Sequence, residues 1–349
     1  MQQDPFRAHH RGILEGIAHL TGHSESFTLC VVVHCTGSTY RKPGALALVR
    51  ADGERRGVIS GGCLESDLEL AAREALAEQR PRLAPFDTRT DDDLVFGSGS
   101  GCRGRIEVLL LPVTAGAGHP LCEALLAADR AHEVLQAVLI TSGPAVGGGL
   151  LWSASLETAL APCPESLRTW RGAAPGAYPL PEGGRCAVLA FAPAPQILLI
   201  GAGPEAPALI AIANQLGWHV TVADHREALL GKHAPGARRT LCARPAAALR
   251  ALGEQRFDAC IVMTHTAAND REALMALAPR AEPFLGLLGP PARRDELLGE
   301  LDAPARAALA GRLHAPVGLK LGGHGPEALA LSVCAQLQAF LAAAEGGGG

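Results

Sequence analysis

Apolar residues in the first half of the chain come in short runs at strand spacing, interrupted by stretches at helical spacing. Residues 28–33 (TLCVVV) are a β-branched run that ends in the turn-rich TGSTYRKPGA, which predicts a strand entering a loop. ALALV at 45–49 predicts a second strand, Asp52-Gly53 a hairpin, and GVIS at 57–60 the returning strand. From Cys63 to Gln79 the period changes. Leu64, Leu68, Ala71, Ala72, Ala75 and Leu76 share one stripe with acids near its start, which predicts a helix with Cys63 on its first turn. After the loop DDDLVFGSGSGCRG, RIEVLLL predicts a buried strand. HPLCEALLAADR then predicts a helix, EVLQAVLIT a strand and the residues up to 191 further short strands. Gly147 to Gly149 and the Pro/Gly-rich stretch 171–184 are the breaks, and the pattern does not order these strands.

The second half alternates more regularly. ILLIG, HVTVAD, DACIVMT and FLGLLG predict strands, with helices through 204–216, 244–254 and 270–278 between them. Strands separated by helices in this order specify a doubly wound parallel sheet. The extended run APAP at 192–195 precedes this pattern and marks a domain boundary. The expectation is therefore an α/β protein: a mixed α/β domain over 1–192, and a Rossmann-like doubly wound parallel sheet over 193–349.

Charge and composition narrow the function classes. Acids number 35 against 31 bases, for a net charge of −4, with no run of Lys or Arg to follow a phosphate backbone, which argues against a nucleic-acid partner. The opening Met1-Gln2-Gln3-Asp4-Pro5 lacks the order of a signal peptide, and no stretch reads as the 18 or so apolar residues of a span, so the expectation is a cytoplasmic protein without a membrane segment. The ten cysteines are scattered without a CxxC pair, which fits neither a disulfide framework nor a zinc ribbon.

Gly201-Ala202-Gly203-Pro204-Glu205-Ala206 follows a predicted strand and opens a predicted helix, the context in which a GxGxxG/A match points to a dinucleotide phosphate. Gly201 and Gly203 are candidate phosphate-loop residues and Asp224, closing the next strand, a candidate ribose ligand, with His225 and Arg226 beside it. The same glycines also serve a tight turn without any ligand. His265 and the pair Arg293-Arg294 follow later strands and are candidate pocket walls. An NAD(P)-dependent oxidoreductase is one reading, although no acid/base pair accompanies the fingerprint.

Two further motifs join glycine to cysteine. In Ser60-Gly61-Gly62-Cys63-Leu64-Glu65 a thiol at a helix start would have its thiolate stabilised, beside amides able to hold an anion. Gly97-Ser98-Gly99-Ser100-Gly101-Cys102-Arg103-Gly104 could curl its amides around an oxyanion. Cys63 and Cys102 are candidate ligands to a soft metal; a buried small side chain is the alternative for each.

Together these stretches resemble the XdhC/CoxI family, through GSTYRKPG at 37–44, SGGCLE at 60–65 and GCRGRIEVLL at 101–110, and in the second half LLIGAGPEA, LGWHVTVADHR, FLGLLGPPARR and HAPVGLKLGG. The resemblance implies an accessory protein that binds molybdopterin-type molybdenum cofactor, protects it while an oxo ligand is exchanged for sulfide, and passes it to an apo xanthine dehydrogenase or related molybdenum hydroxylase. It implies a chaperone without turnover of its own, in purine catabolism. Arg41, Gly61, Gly62, Cys63, Glu65, Gly101, Cys102 and Gly104 then become cofactor-binding candidates, with Gly201, Gly203, Asp224 and His265 for cofactor or nucleotide. A cysteine desulfurase as second partner and a homodimer are compatible with it. Lys320, His324 and Arg103 depart from the pattern of many relatives, so contacts there do not carry over.

Overall fold

The computed structural model describes residues 10–62, 64–87 and 104–346, and the chain divides into two compact units, Met1–Ala194 and Pro195–Gly349. In the first, α1 (His10–Gly22) is followed by β1 (Phe27–Gly37), β2 (Leu46–Arg50), β3 (Arg55–Arg56), α2 (Glu65–Glu78), β4 (Arg82–Asp87) and β5 (Gly104–Val113). Then come α3 (Pro120–Ala131), β6 (Leu135–Ser142), β7 (Gly149–Trp152), β8 (Glu157–Leu160), a 3₁₀ turn at Glu165–Trp170, β9 (Gly176–Pro179) and β10 (Arg185–Phe191). These strands make two five-stranded antiparallel sheets, β3-β2-β1-β5-β4 and β8-β7-β6-β10-β9.

Strand alternation explains the layering. On β1, Leu29, Val31 and Val33 point into a core shared with α1, α3 and the inner face of the second sheet, while Cys30 and Val32 point into a separate core under α2. A strand covered on both faces must be apolar throughout, which is why TLCVVV does not alternate. The stripe on α2 packs as expected through Leu68, Ala72, Ala75 and Leu76.

Three features differ from expectation. Residues 57–60 are not a strand: only Arg55 and Arg56 pair with β2, and Gly57, at φ +93° and tight against Leu46 O, turns the chain out of the sheet. α2 starts at Glu65, later than the spacing from Cys63 suggests, and Cys63, expected on its first turn, lies outside the described residues. The 171–184 stretch contains an edge strand, β9.

The second unit contains β11 (Gln196–Ile200), α4 (Ala206–Gln215), β12 (His219–Asp224), α5 (Glu227–His233), β13 (Arg239–Cys242), α6 (Pro245–Leu252) and β14 (Ala259–Val262). It continues with α7 (Ala267–Leu277), β15 (Phe284–Leu287), α8 (Pro291–Glu300), α9 (Ala303–Leu309), β16 (Leu313–His314) and α10 (Pro326–Gly346). All six strands are parallel in the order β13-β12-β11-β14-β15-β16, a Rossmann arrangement whose direction of winding reverses between β11 and β14. Ile197 and Leu199 face α4 and α10, whereas Leu198 and Ile200 face α6 and α7.

Contrary to the hydropathy expectation, α10 is long and apolar enough to pass for a span, with mean hydropathy 1.3 over Pro326–Ala343. Its Ala330, Val333, Cys334 and Leu337 belong to the core of this unit beside α4, which accounts for the apolar composition of that face.

Candidate functional site

Strand registers bring the amino-terminal motifs to one end of the first sheet. β1 finishes at Gly37 opposite Gly104, where β5 begins; β2 begins at Leu46 opposite Val31; and the chain leaves β3 toward Gly57 beside Leu46. Residues 37–45, residues 57–62, Leu64 and Gly104 thus share this end. Gly104 cannot be another residue, because a Cβ there would lie 2.5 Å from Ser38 O and 2.7 Å from Thr39 Cγ2. The first and third motifs are therefore in van der Waals contact.

Within the first motif the Thr39 hydroxyl donates to Arg41 O at 2.9 Å and the Cys35 thiol approaches the same oxygen at 3.5 Å. The Arg41 side chain is half-buried and has no ion-pair or hydrogen-bond partner among the described residues. Burial pushes its guanidinium below the usual arginine value, against the opposing influence of Tyr40. A desolvated cation without a counter-ion is a ready anion site.

The second motif is organised from inside. The Ser60 hydroxyl donates to Glu65 Oε2 and accepts from the amides of Gly62 and Leu64 at 3.2 and 3.1 Å; Glu65 Oε1 accepts from the Ser60 amide at 3.1 Å. Burial raises the Glu65 carboxyl, but the bonds from Ser60 and the charge of Arg55 outweigh it and hold the group below its usual range. Glu65, proposed from sequence as a ligand, is thus 6% exposed and shapes the loop on either side of Cys63. Gly61 and Gly62 are exposed with nothing near a hypothetical Cβ, and Gly62 needs its φ of +112°. Cys63, Gly101 and Cys102 lie outside the described residues. Among those described, no group of three His, Cys, Asp or Glu side chains could hold a metal.

In the Rossmann unit the fingerprint residues are engaged with one another. Asp224 takes four hydrogen bonds, from the Ala202 amide at 2.8 Å, the Arg226 amide at 2.8 Å and Arg226 Nε and Nη2 at 2.9 and 2.7 Å. Burial would raise its carboxyl; those bonds win and bring it down to about 2. Gly201 has φ +117° and a Cβ would sit 2.3 Å from Met263 O, so this glycine lets β11 and β14 approach. Gly203 lies under a pair that sequence reasoning missed: His265 Nε2 meets Glu205 Oε2 at 2.9 Å, and a Cβ on Gly203 would be 2.6 and 2.8 Å from those two atoms. A carboxylate inside a phosphate-loop fingerprint was the available signal.

Beyond this pair, Glu205, His265, Leu288, Gly289, Pro290, Arg293, Pro316, Val317 and Leu329 line a cavity of about 390 Å³ at the carboxyl ends of the strands. Arg293 is held by the buried Asp270 at 3.0 and 2.6 Å, and Asp270 also accepts from the Thr264 amide and hydroxyl. Arg294 instead reaches Ala315 O and Asp295.

Comparison with known proteins agrees with both halves. Residues 197–337 match the XdhC Rossmann domain and residues 21–87 the XdhC and CoxI family. A probable xanthine dehydrogenase subunit of Bacillus subtilis (strain 168) is 30% identical over 329 residues, covering 90% of this chain and 92% of the relative. The uncharacterized protein YqeB of Escherichia coli (strain K12) is 27% identical, and this chain spans 43% of its length. A crystal structure of a xanthine dehydrogenase from Bacillus halodurans superposes with a TM-score of 0.80 at 31% identity over 96% of both chains. With the motif loops gathered as described and relatives matched along nearly their whole length, this chain belongs to the XdhC and CoxI family.

Proposed function

We propose that this protein is a cytoplasmic chaperone of the molybdenum cofactor: it holds the cofactor during sulfuration and delivers it to a xanthine-dehydrogenase-type molybdenum hydroxylase. The observation that carries the reading is the convergence of the motif segments on one sheet end, where Arg41 presents a cation without a partner among the described residues. A dithiolene-bound molybdenum is soft and its pterin bears a phosphate, so thiols, exposed glycine amides and a free guanidinium form a suitable donor set. Arg41 would take the phosphate, Gly61 and Gly62 would leave room for the cargo, and the Ser60–Glu65 brace would set the loop that carries Cys63. Such a site binds and shields without transforming its cargo, which then remains releasable. A cysteine desulfurase is the sulfide donor that fits this scheme, and the name of the B. subtilis relative supports the client class.

An NAD(P) oxidoreductase is less well supported, since Asp224 is saturated by Arg226 and Ala202. The test is to purify the protein from a host making the cofactor and to measure molybdenum and oxidised-pterin fluorescence per folded molecule. Both are expected, with a several-fold loss in Arg41→Ala. Absence of both from the parent protein, together with failure to activate an apo-hydroxylase, refutes the reading.

A further inference from the structure

Charge is placed unevenly along this chain. From Lys232 to Arg256 stand six bases, Lys232, Arg238, Arg239, Arg244, Arg250 and Arg256, and one acid, Glu254, although the whole chain carries a net charge of −4. All six bases are exposed. Arg244 is engaged by Asn269 and Glu272. Arg239 reaches only the neutral Gln255 Oε1, at 3.3 Å, and the side chains of Lys232, Arg238, Arg250 and Arg256 have no hydrogen-bond or ion-pair partner among the described residues.

The topology gathers the five cations without an acid partner at one corner of the parallel sheet. A helix between parallel strands returns the chain to the amino end of the next strand, so the last turns of α5 and α6, with Lys232 and Arg250, lie at the end where β13 starts. Arg238 and Arg239 stand at that start, and Arg256 precedes β14 at the same end. β13 is also an edge strand: β12 pairs with one side of it, and no strand lies on the other among the described residues. The opposite edge, around β16, is built differently. There Arg294 is held by Asp295 and Ala315 O, Arg306 by Leu298 O and Leu301 O, and Arg312 by four carbonyls including Glu282 O. Arginines at that edge serve the fold; those at β13 have no such work.

We propose that the β13 edge is a docking surface for an extended acidic segment of a partner protein, which adds to the sheet as a further strand and sets its carboxylates against these cations. An open edge offers main-chain N–H and C=O groups that another peptide can satisfy, and guanidiniums match carboxylates in charge and shape. The same charges exclude other occupants. A second copy of this edge would bring cation against cation. A single-stranded nucleic acid would find no Phe, Tyr or Trp between His225 and Arg256 to stack its bases, and a phosphate backbone leaves the strand's amides and carbonyls unmatched. The inference does not depend on the amino-terminal motifs and goes beyond the function proposed for them.

Calorimetric titration of the full chain with octaglutamate at low ionic strength is the test, beside octaglutamate N-methylated at every amide and a thymidylate oligomer of equal charge. Octaglutamate should bind one-to-one and weaken as salt is added, because exposed charges are screened. The N-methylated peptide keeps the charge and loses the donors for strand pairing, and should bind more weakly, as should the oligonucleotide. Arg238→Glu with Arg239→Glu, and separately Lys232→Glu with Arg250→Glu, change exposed side chains only; each pair, confirmed as folded by circular dichroism, should weaken peptide binding by more than about tenfold. Arg271→Glu, which reverses an exposed base already paired with Glu300, should bind the peptide as the parent does. Four results each overturn the proposal: no saturable heat with octaglutamate, equal binding of the N-methylated peptide, tighter binding of the oligonucleotide, or unchanged binding in both folded double variants. Arg41→Ala should leave these titrations unaltered while lowering cofactor retention, so the two readings fail separately.

Discussion

Asp224 grips the guanidinium of Arg226 through both carboxylate oxygens, at 2.9 and 2.7 Å, and receives the Ala202 amide from the glycine loop at the same time. The residue that would read a ribose is thereby a brace between β12 and the loop after β11. Its folded carboxyl, at about 2, lies below the ordinary 3.8, so it stabilises the fold fully above the ordinary value and less as pH falls toward 2. Asp224→Asn should cost about 2 kcal/mol at neutral pH. Urea unfolding of parent and variant at pH 7 and pH 3 checks this: the difference should shrink at the lower pH, and an equal difference at both would contradict the assignment.

The two fingerprint glycines should respond differently to alanine. At Gly201 the new Cβ meets the Met263 carbonyl with φ already at +117°, and backbone cannot yield, so Gly201→Ala should destabilise by more than about 1 kcal/mol. At Gly203 it meets the ends of the His265 and Glu205 side chains, which can swing aside. Thermal melts should show the larger drop for Gly201→Ala.

Ser60→Ala removes the acceptor of two amides and the partner of Glu65, at a cost of about 1–3 kcal/mol. It should also lower cofactor retention with Cys63 left intact. Because the Glu65 carboxyl is held below its usual range, the brace persists at neutral pH and weakens as pH falls through that lowered value. Retention measured across mild acid should fall earlier in Ser60→Ala than in the parent.

The cysteines divide by position. Cys30 and Cys260 are fully buried in strands and their thiols are pushed up by burial, so they should resist thiol reagents in the native protein. Serine at either should cost stability, on the order of 1–3 kcal/mol, and leave cofactor retention per folded molecule unchanged. Cys63→Ser and Cys102→Ser should do the reverse. Equal retention in the parent and in both of these variants would remove the thiols from the proposed site.

His119 caps α3 by accepting the Leu121 amide at 3.2 Å, and burial lowers its imidazole to about 4. A histidine kept neutral in the fold stabilises it fully above the ordinary 6.5, and that contribution is lost as pH falls from there toward 4. His119→Asn retains a cap and should flatten this part of the stability profile, measured by denaturation between pH 7 and 5.

Periodicity alone determined four of the six strands of the Rossmann unit, its helices α4, α6 and α7, and the helix that follows Cys63, because buried strands and amphipathic helices leave local signatures of spacing, whereas the short edge strands β13 and β16 and the helices α5, α8, α9 and α10 did not stand out. The linked glycine motifs pointed to the family, and the turn residues that mark them are local as well. The tertiary structure alone decided the order of the antiparallel strands, since antiparallel pairing joins residues as distant as Phe27 and Val113, and no local period encodes that partner. It also decided what the motif residues do. Glu65 turns inward to Ser60, Asp224 to Arg226 and Glu205 to His265, each because a buried carboxylate must find donors within reach. A sequence displays the carboxylates; only packing selects the donors that satisfy them, and thus which polar atoms remain free to meet a ligand.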